Sequence, residues 1–372
     1  MNKDKKLIFP DFKNCNLNIS ATLAEFLGAP NNKPTLSILK EELAKNYKNV
    51  VFICFDGLGI NPIEKNLKPN DFLRKNIVQT LTSTFPSTTT NATTSLLLNK
   101  YPLEHGWFGW SMYFEDIGKN IEIFLNTDAK THQKVKITDS PLAEIDYYFD
   151  NANSDYEINT IFPPYVAVKH NERNLTISDE EDLCCKLWYV CNKPGKQFVY
   201  AYFDEPDHTM HDFGVTSQKT KQVITSISSN IKNLYKQTKD TLFIITADHG
   251  QVDINGYVDF YKDEKMYSYL ETPPYMESRA PSFKVKKEYM QQFEEHFKNT
   301  YSEDFILFKT SDLLQKGVFG EFGNKAELLG DFIAVNTHTY KQAVFYADDI
   351  RFKGHHTSLT DEMLVPLILL KN

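Results

Sequence analysis

The chain of 372 residues carries 41% hydrophobic residues, with 27 Phe and 20 Tyr, so a large core is available and global disorder is excluded. Its formal net charge of −8 excludes the basic footprint of a nucleic-acid polymer binder, yet leaves a small anionic substrate open, because divalent cations held locally outweigh a diffuse negative surface. No run approaches the roughly 18 apolar residues that span a bilayer, so no membrane segment is expected.

The opening MNKDKKLIFPDFKNCN has lysines with no apolar core behind them, which reads as the absence of a secretory signal. The cysteines at 15, 54, 184, 185 and 191 form no C-x-x-C spacing. Free thiols and a cytoplasmic protein are expected, with Cys184 and Cys185 as packing residues on a helix.

In chain order, TLSILKEELAKNY (35–47) has helical spacing, and NVVFICF (49–55) is an apolar strand closed by Asp56 and Gly57. TLTSTF (80–85) reads as a short strand and TTTNATTSLLLNK (88–100) as a helix. FVYAYF (198–203) and TLFIITA (241–247) are further buried strands, with a crossover helix over 216–238 between them. This alternation predicts an α/β fold with a mostly parallel sheet. Residues 112–177 and 255–340 break the rhythm, and either could cover the strand ends. AVFYAD (343–348) and VPLILL (365–370) are placed back in the core sheet.

Chemistry-bearing residues gather at the ends of these strands. Asp56 follows the first. FDEPDHTMH follows the second and sets Asp207 and His211 one helical turn apart. TADHG follows the third with Asp248 and His249, and KGHH adds His355 and His356. Asp and His suit zinc-like cations, and residues released at carboxyl ends of parallel strands share one edge of the sheet. Thr89 opens the 88–100 helix, where unpaired N–H groups favour a bound phosphate. Two readings of FPSTTT stand side by side, a nucleophile and an ordinary N-cap.

In that order, FDGLG, FPSTTTNATTSLLLNKYPLEHG, EPDHTMHDFG, TADHGQ and GHHTSLTDEMLVPLI resemble the alkaline phosphatase superfamily, and within it the type I phosphodiesterase / nucleotide pyrophosphatase family. The resemblance implies an alkaline-phosphatase-like three-layer α/β/α sandwich in a single catalytic domain over residues 1–372, with a smaller cap inserted over 255–340. It implies two divalent metal ions, zinc foremost. One would be held by Asp207, His211 and His356, the other by Asp56, Asp248 and His249 with the Thr89 hydroxyl beside it. Thr88 and Thr90 are competing registers for the nucleophile, and His355 competes with His356. His105, in the Tyr-Pro-x-x-His-Gly turn, reads as structural.

The implied activity is hydrolysis of a small phosphate ester or nucleotide through a phospho-threonine, by a phosphodiesterase or nucleotide pyrophosphatase. Hydrolysis of phosphomonoesters, phosphonates or sulfate esters, a phosphomutase (the LTDEMLVPLI segment resembles that of cofactor-independent mutases) and a catalytically silent metal-binding protein are the alternatives. Many nucleotide pyrophosphatases of the family carry an asparagine where HGWFGWSMY (105–113) places Trp110. Trp107, Trp110 and Tyr113 could wall a base or an apolar leaving group, or pack in the core. Trp110, Asn91 and Arg279 are the expected substrate-side residues, with a surface position as the alternative for Arg279.

Overall fold

The four most apolar runs of the chain become neighbouring strands. In this computed structural model, which describes residues 6–135, 146–164 and 174–372, one sheet takes the order Ile77–Thr82, Leu364–Lys371, Thr241–Thr246, Asn49–Phe55, Lys196–Phe203, Tyr156–Phe162 and Asn174–Thr176. Asn49–Phe55 is parallel to both its neighbours, with Phe55 opposite Phe203 and Cys54 opposite Thr246. Every residue of Asn49–Phe55 and Thr241–Thr246 is buried, which is why these strands read as continuous apolar runs rather than as alternation. Only Leu364–Lys371 runs against its neighbours.

Helices cover the sheet in two packed groups. Leu17–Phe26 packs on Thr89–Leu98, while Glu180–Cys191 and Asp207–Phe213 pack on the long crossover helix Gln218–Gln237. The crossover helix starts where Ser217 accepts a hydrogen bond from the Thr220 N–H. The two groups correspond to the outer layers of an α/β/α sandwich.

A second sheet, antiparallel throughout, draws on both interrupting stretches. Its order is Phe305–Lys309, Phe332–Asn336, Ala280–Phe283, Tyr275–Glu277, Ser111–Phe114, Lys119–Glu122 and Thr127–Asp128. Residues 136–145 and 165–173 of the 112–177 stretch lie outside the described residues.

Two expectations need correction. AVFYAD does not return to the core sheet: Lys341–Val344 pairs with Gly256–Asp259 in a separate two-stranded ladder. Ala343 and Phe345 bury against an aromatic cluster around Phe260 and Phe297, so their apolar content belongs to a second core. Tyr156–Phe162 and Asn174–Thr176, unforeseen, extend the main sheet at one edge. Cys185 is exposed rather than packed, while Cys184 leans on the main core. Among the described residues no helix is long and apolar enough to cross a membrane.

Candidate active site

Strand direction assembles the site. The parallel strands ending at Phe55, Phe203 and Thr246 present Asp56, Asp207, Asp248 and His249 at one edge. Because Leu364–Lys371 is antiparallel, the segment before it, with His355 and His356, begins at that same edge. The chain leaving Thr82 re-enters there as the helix Thr89–Leu98. Ligand-type atoms of Asp56, Asp248 and His249 lie within 4.8 Å of one another, as do those of Asp207, His249 and His356 and those of His211, His355 and His356.

The imidazoles are oriented from behind. His211 Nδ1 lies 2.9 Å from the Gly354 carbonyl and His249 Nδ1 lies 3.0 Å from the Gly250 carbonyl. A carbonyl accepts only, so Nδ1 donates in both rings, and Nε2 is the nitrogen turned towards the carboxylates, where a cation would take its lone pair. His211 Nε2 is 3.2 Å from Asp207 Oδ2, and His249 Nε2 is 3.3 Å from Asp56 Oδ1 and 3.5 Å from Asp248 Oδ2. The rings of His249 and His356 approach to 3.9 Å between centroids.

These donors fit divalent cations. Burial, then Asp248 and Asp207, raise the Asp56 carboxyl well above its ordinary range, the signature of carboxylates crowded together without a cation. Burial opposes the charge on Asp207 too, but His211 and Gln251 outweigh it and hold that carboxyl low. His356, buried beside His249, is held neutral, and its Nδ1 has no partner. Neutral imidazoles and carboxylates around a shared point are what zinc-like ions bind.

Thr89 Oγ1 lies 3.1 and 3.4 Å from the Asp56 oxygens and 3.3 Å from His249 Nε2. The competing registers point elsewhere. Thr88 donates to Glu277 Oε1 at 2.7 Å, and Thr90 is fully buried with an unpartnered hydroxyl. Thr88 occupies the N-cap position, yet no side chain caps this helix. Its first N–H groups therefore keep their capacity for an anion.

Other expected residues separate. Trp110 is 38% exposed and lines a cavity of about 420 Å³ together with Thr89, Asp207, His211, His355 and His356. Trp107 is buried in a separate cluster with Phe85, Phe108 and Phe319, and Tyr113 packs against that cluster. Asn91 does not face the cavity: it is fully buried and its amide donates to the Pro86 carbonyl and Thr84 Oγ1. Arg279 is neither at the surface nor on the cavity wall. It is fully buried, and its guanidinium binds Glu362, Asn336, Thr360 and the His356 carbonyl. Ser278 and Arg279 form the two-residue connection between Tyr275–Glu277 and Ala280–Phe283, so the strand alternation that would keep Glu277 and Arg279 on one face is broken there. His105 is structural in its bonding: Nδ1 accepts from the Trp107 N–H at 3.0 Å and Nε2 lies 2.9 Å from Ser95 Oγ. Burial holds it neutral, down to about 3.

Sequence reasoning missed the residues that hold the ligands in place. Tyr202 donates to Asp56 Oδ2, Gln251 donates to Asp207 Oδ1, and Thr93 donates to Asp248 Oδ2 at 3.3 Å. It also missed Glu277, a cavity-lining carboxyl that accepts from Thr88 and, at 2.8 Å, from the Trp110 N–H. Gln251 ends the TADHGQ segment and Glu277 sits in YMESRAPSF, so proximity to chosen residues was the available signal.

Residues 50–358 match the family described as type I phosphodiesterase / nucleotide pyrophosphatase. Among solved structures, murine ectonucleotide pyrophosphatase / phosphodiesterase 5 superposes with a TM-score of 0.62 at 16% identity, covering 86% of this chain and 87% of that one. An inactive form of the same murine protein in complex with AMP gives 0.60 at 16% identity, with the same coverage of 86% and 87%. Phosphonoacetate hydrolase from Sinorhizobium meliloti, in complex with phosphonoformate, gives 0.62 at 10% identity over 86% of this chain and 89% of that one. At such identities these likenesses establish the fold.

Proposed function

The chain belongs to the type I phosphodiesterase / nucleotide pyrophosphatase family, a family of phosphoester hydrolases, and from that premise we propose that it cleaves phosphodiesters through a phospho-threonine formed on Thr89. The observation that carries the reading is the position of the Thr89 hydroxyl, between Asp56 and His249 at the uncapped start of a helix.

Two divalent ions, zinc foremost, would be held by Asp56, Asp248 and His249 and by Asp207, His211 and His356. Bound there, they supply positive charge that lowers the hydroxyl pKa and offsets charge on the phosphoryl oxygens. His356 rather than His355 is the proposed ligand, because His356 lies in the group with Asp207 and His249, whereas His355 Nε2 is 2.7 Å from Ser278 Oγ.

The chain's own groups supply the rest. Asp56, whose oxygens lie 3.1 and 3.4 Å away, offers the acceptor for the Thr89 proton, while the lone pair of His249 Nε2 would be committed to the ion. The alkoxide attacks phosphorus in line, the P–O bond to the leaving alcohol breaks, and the uncapped N–H groups of the Thr89–Leu98 helix face the phosphoryl oxygens. Water then attacks the phospho-threonine and restores the hydroxyl. Tyr202, Thr93 and Gln251 hold the three carboxylates in position through these steps.

Thr89→Ala tests this directly. Turnover of bis(4-nitrophenyl) phosphate should fall by at least about a thousandfold, with the metal content per chain unchanged. Persisting turnover would remove Thr89 as the nucleophile.

A further inference from the structure

Many of the hydrogen-bond donors around the cavity beside Thr89 are engaged by the protein itself. Thr88 and the Trp110 N–H donate to Glu277 Oε1, the Trp110 indole N–H donates to Glu122 at 3.3 Å, and the Gln342 amide donates to the Ile350 carbonyl at 2.8 Å. Arg279 binds Glu362 behind the wall, and Arg351, between the wall residues Ile350 and Phe352, holds Asp259 at 3.1 Å. A phosphodiester brings two non-bridging oxygens that share its negative charge, and such oxygens are stabilised best by donors fixed in place beforehand. Ser278, on the same wall, is a donor of this kind.

The backbone of Ser278 is anchored on both sides. Before it, Glu277 is buried and accepts from Thr88, the neighbour of Thr89, at 2.7 Å. After it, Arg279 is fully buried. The Ser278 carbonyl accepts the Ala343 N–H at 2.9 Å. The hydroxyl oxygen lies 2.7 Å from His355 Nε2, and the His355 ring stands 5.2 Å from the His211 ring between centroids. Ser278 therefore links the residues that flank Thr89 to the imidazole cluster.

The other ring nitrogen sets the direction of the Ser278–His355 bond. His355 is buried and its Nδ1 has no hydrogen-bond partner. A proton there would be a buried N–H without an acceptor, at its full desolvation cost. On Nε2 the same proton is donated to the Ser278 oxygen. A hydroxyl that accepts in this way keeps its own proton for another acceptor, and none of the described residues takes it. We propose that Ser278 Oγ donates to a non-bridging oxygen of the phosphoryl group that Thr89 attacks, and that His355 is the positioning residue that turns the hydroxyl towards it. The proposal rests on the reading of Thr89 as the nucleophile of a phosphodiesterase and adds a second hydroxyl in contact with the reacting phosphate.

Methyl 4-nitrophenyl phosphate and the two enantiomers of its phosphorothioate test this on the zinc-loaded protein, since each enantiomer puts sulfur, a poor hydrogen-bond acceptor, at one non-bridging position. Ser278→Ala should lower kcat/KM for the all-oxygen ester by at least about tenfold, the scale of a hydrogen bond to a charged group, with zinc content unchanged. It should also alter the kcat/KM ratio of the enantiomers by at least about threefold, whereas a loss of packing alone would slow both alike. A smaller fall, or an unaltered ratio, overturns the inference and leaves the phosphodiesterase reading intact. Adding His355→Leu to Ser278→Ala should alter the ratio no further, because His355 acts through the missing hydroxyl; a further change overturns its positioning role.

If none of the three esters is cleaved, the phosphodiesterase reading fails, and a turnover-free readout still decides the donor. Calorimetric titration of inorganic phosphate into the zinc-loaded proteins should show an affinity at least about fivefold lower in Ser278→Ala than in the unmutated chain. Equal affinity, or no binding to either, overturns the inference.

Discussion

Arg279 Nη2 lies 2.8 Å from Glu362 Oε1, and both side chains are completely shielded from solvent. The pair fastens the segment that carries His355 and His356 to the turn of the second sheet. Arg279 also holds the His356 carbonyl at 3.1 Å, and Glu362 accepts the Ser358 N–H at 3.0 Å. Removing one partner of such a pair leaves a buried charge uncompensated. Arg279→Met should therefore destabilise by about 3–5 kcal/mol, and the double variant Arg279→Met/Glu362→Met by less than Arg279→Met alone. Urea unfolding of the single and double variants measures this. A single variant no less stable than the double would show that the pair does not hold the segment.

Arg279 marks where the sequence stops being legible. The strands that carry Asp56, Asp207 and Asp248 could be read because both their faces are buried, and continuous apolar runs announce that. Thr89 and the histidines followed from motif order. Arg279 and Asn91 did not, because which way a side chain points from a turn or a buried helix depends on partners far along the chain. Glu362 is remote from Arg279 in the chain, and the Asn91 NH2 group donates to the Pro86 carbonyl and Thr84 rather than to anything in the cavity. The helix Leu17–Phe26 escaped for a related reason. Its Asn18, Ser20 and Thr22 are buried and hydrogen-bonded, so no polar face alternates with an apolar one. AVFYAD went astray because apolar content shows burial but not in which cluster.

Gly59 carries a constraint of a different kind. Its φ of −71° suits any residue, but an added Cβ would stand 2.4 Å from Gly250 Cα and 2.7 Å from the Leu364 carbonyl oxygen. Both obstacles are backbone and cannot rotate away. Gly59 follows Asp56 and Gly250 follows His249, so relief of the clash pushes apart the two loops that bring Asp56 to Asp248 and His249. Gly59→Ala should destabilise by about 1–3 kcal/mol and weaken zinc binding as well. Thermal unfolding and equilibrium dialysis against zinc would show it; unchanged zinc affinity would mean that the loops yield without moving the ligands.

Metal removal gives the sharpest electrostatic test, because the Asp56 carboxyl of the metal-free chain is pushed well above its ordinary range by burial and by Asp248 and Asp207. The folded state then keeps a proton that the unfolded chain releases near pH 3.9, about the value of a free aspartate. Above that pH the folded state binds more protons than the unfolded state, so stability falls as pH rises towards the folded pKa. Asp56→Asn removes the titration. The metal-free variant should lose less stability than metal-free wild type between about pH 5 and pH 8, and should exceed it at the upper end, where the like charges of Asp56 and Asp248 face each other. Zinc reverses the order: at about 100 times its Kd it adds roughly 2.7 kcal/mol to the wild type, while the variant, lacking one carboxylate of the Asp248–His249 group, gains less. Chemical unfolding of chelated and zinc-loaded protein across this pH range measures both differences, and a metal-free variant that tracks the wild type at every pH would mean that Asp56 is not crowded by Asp248.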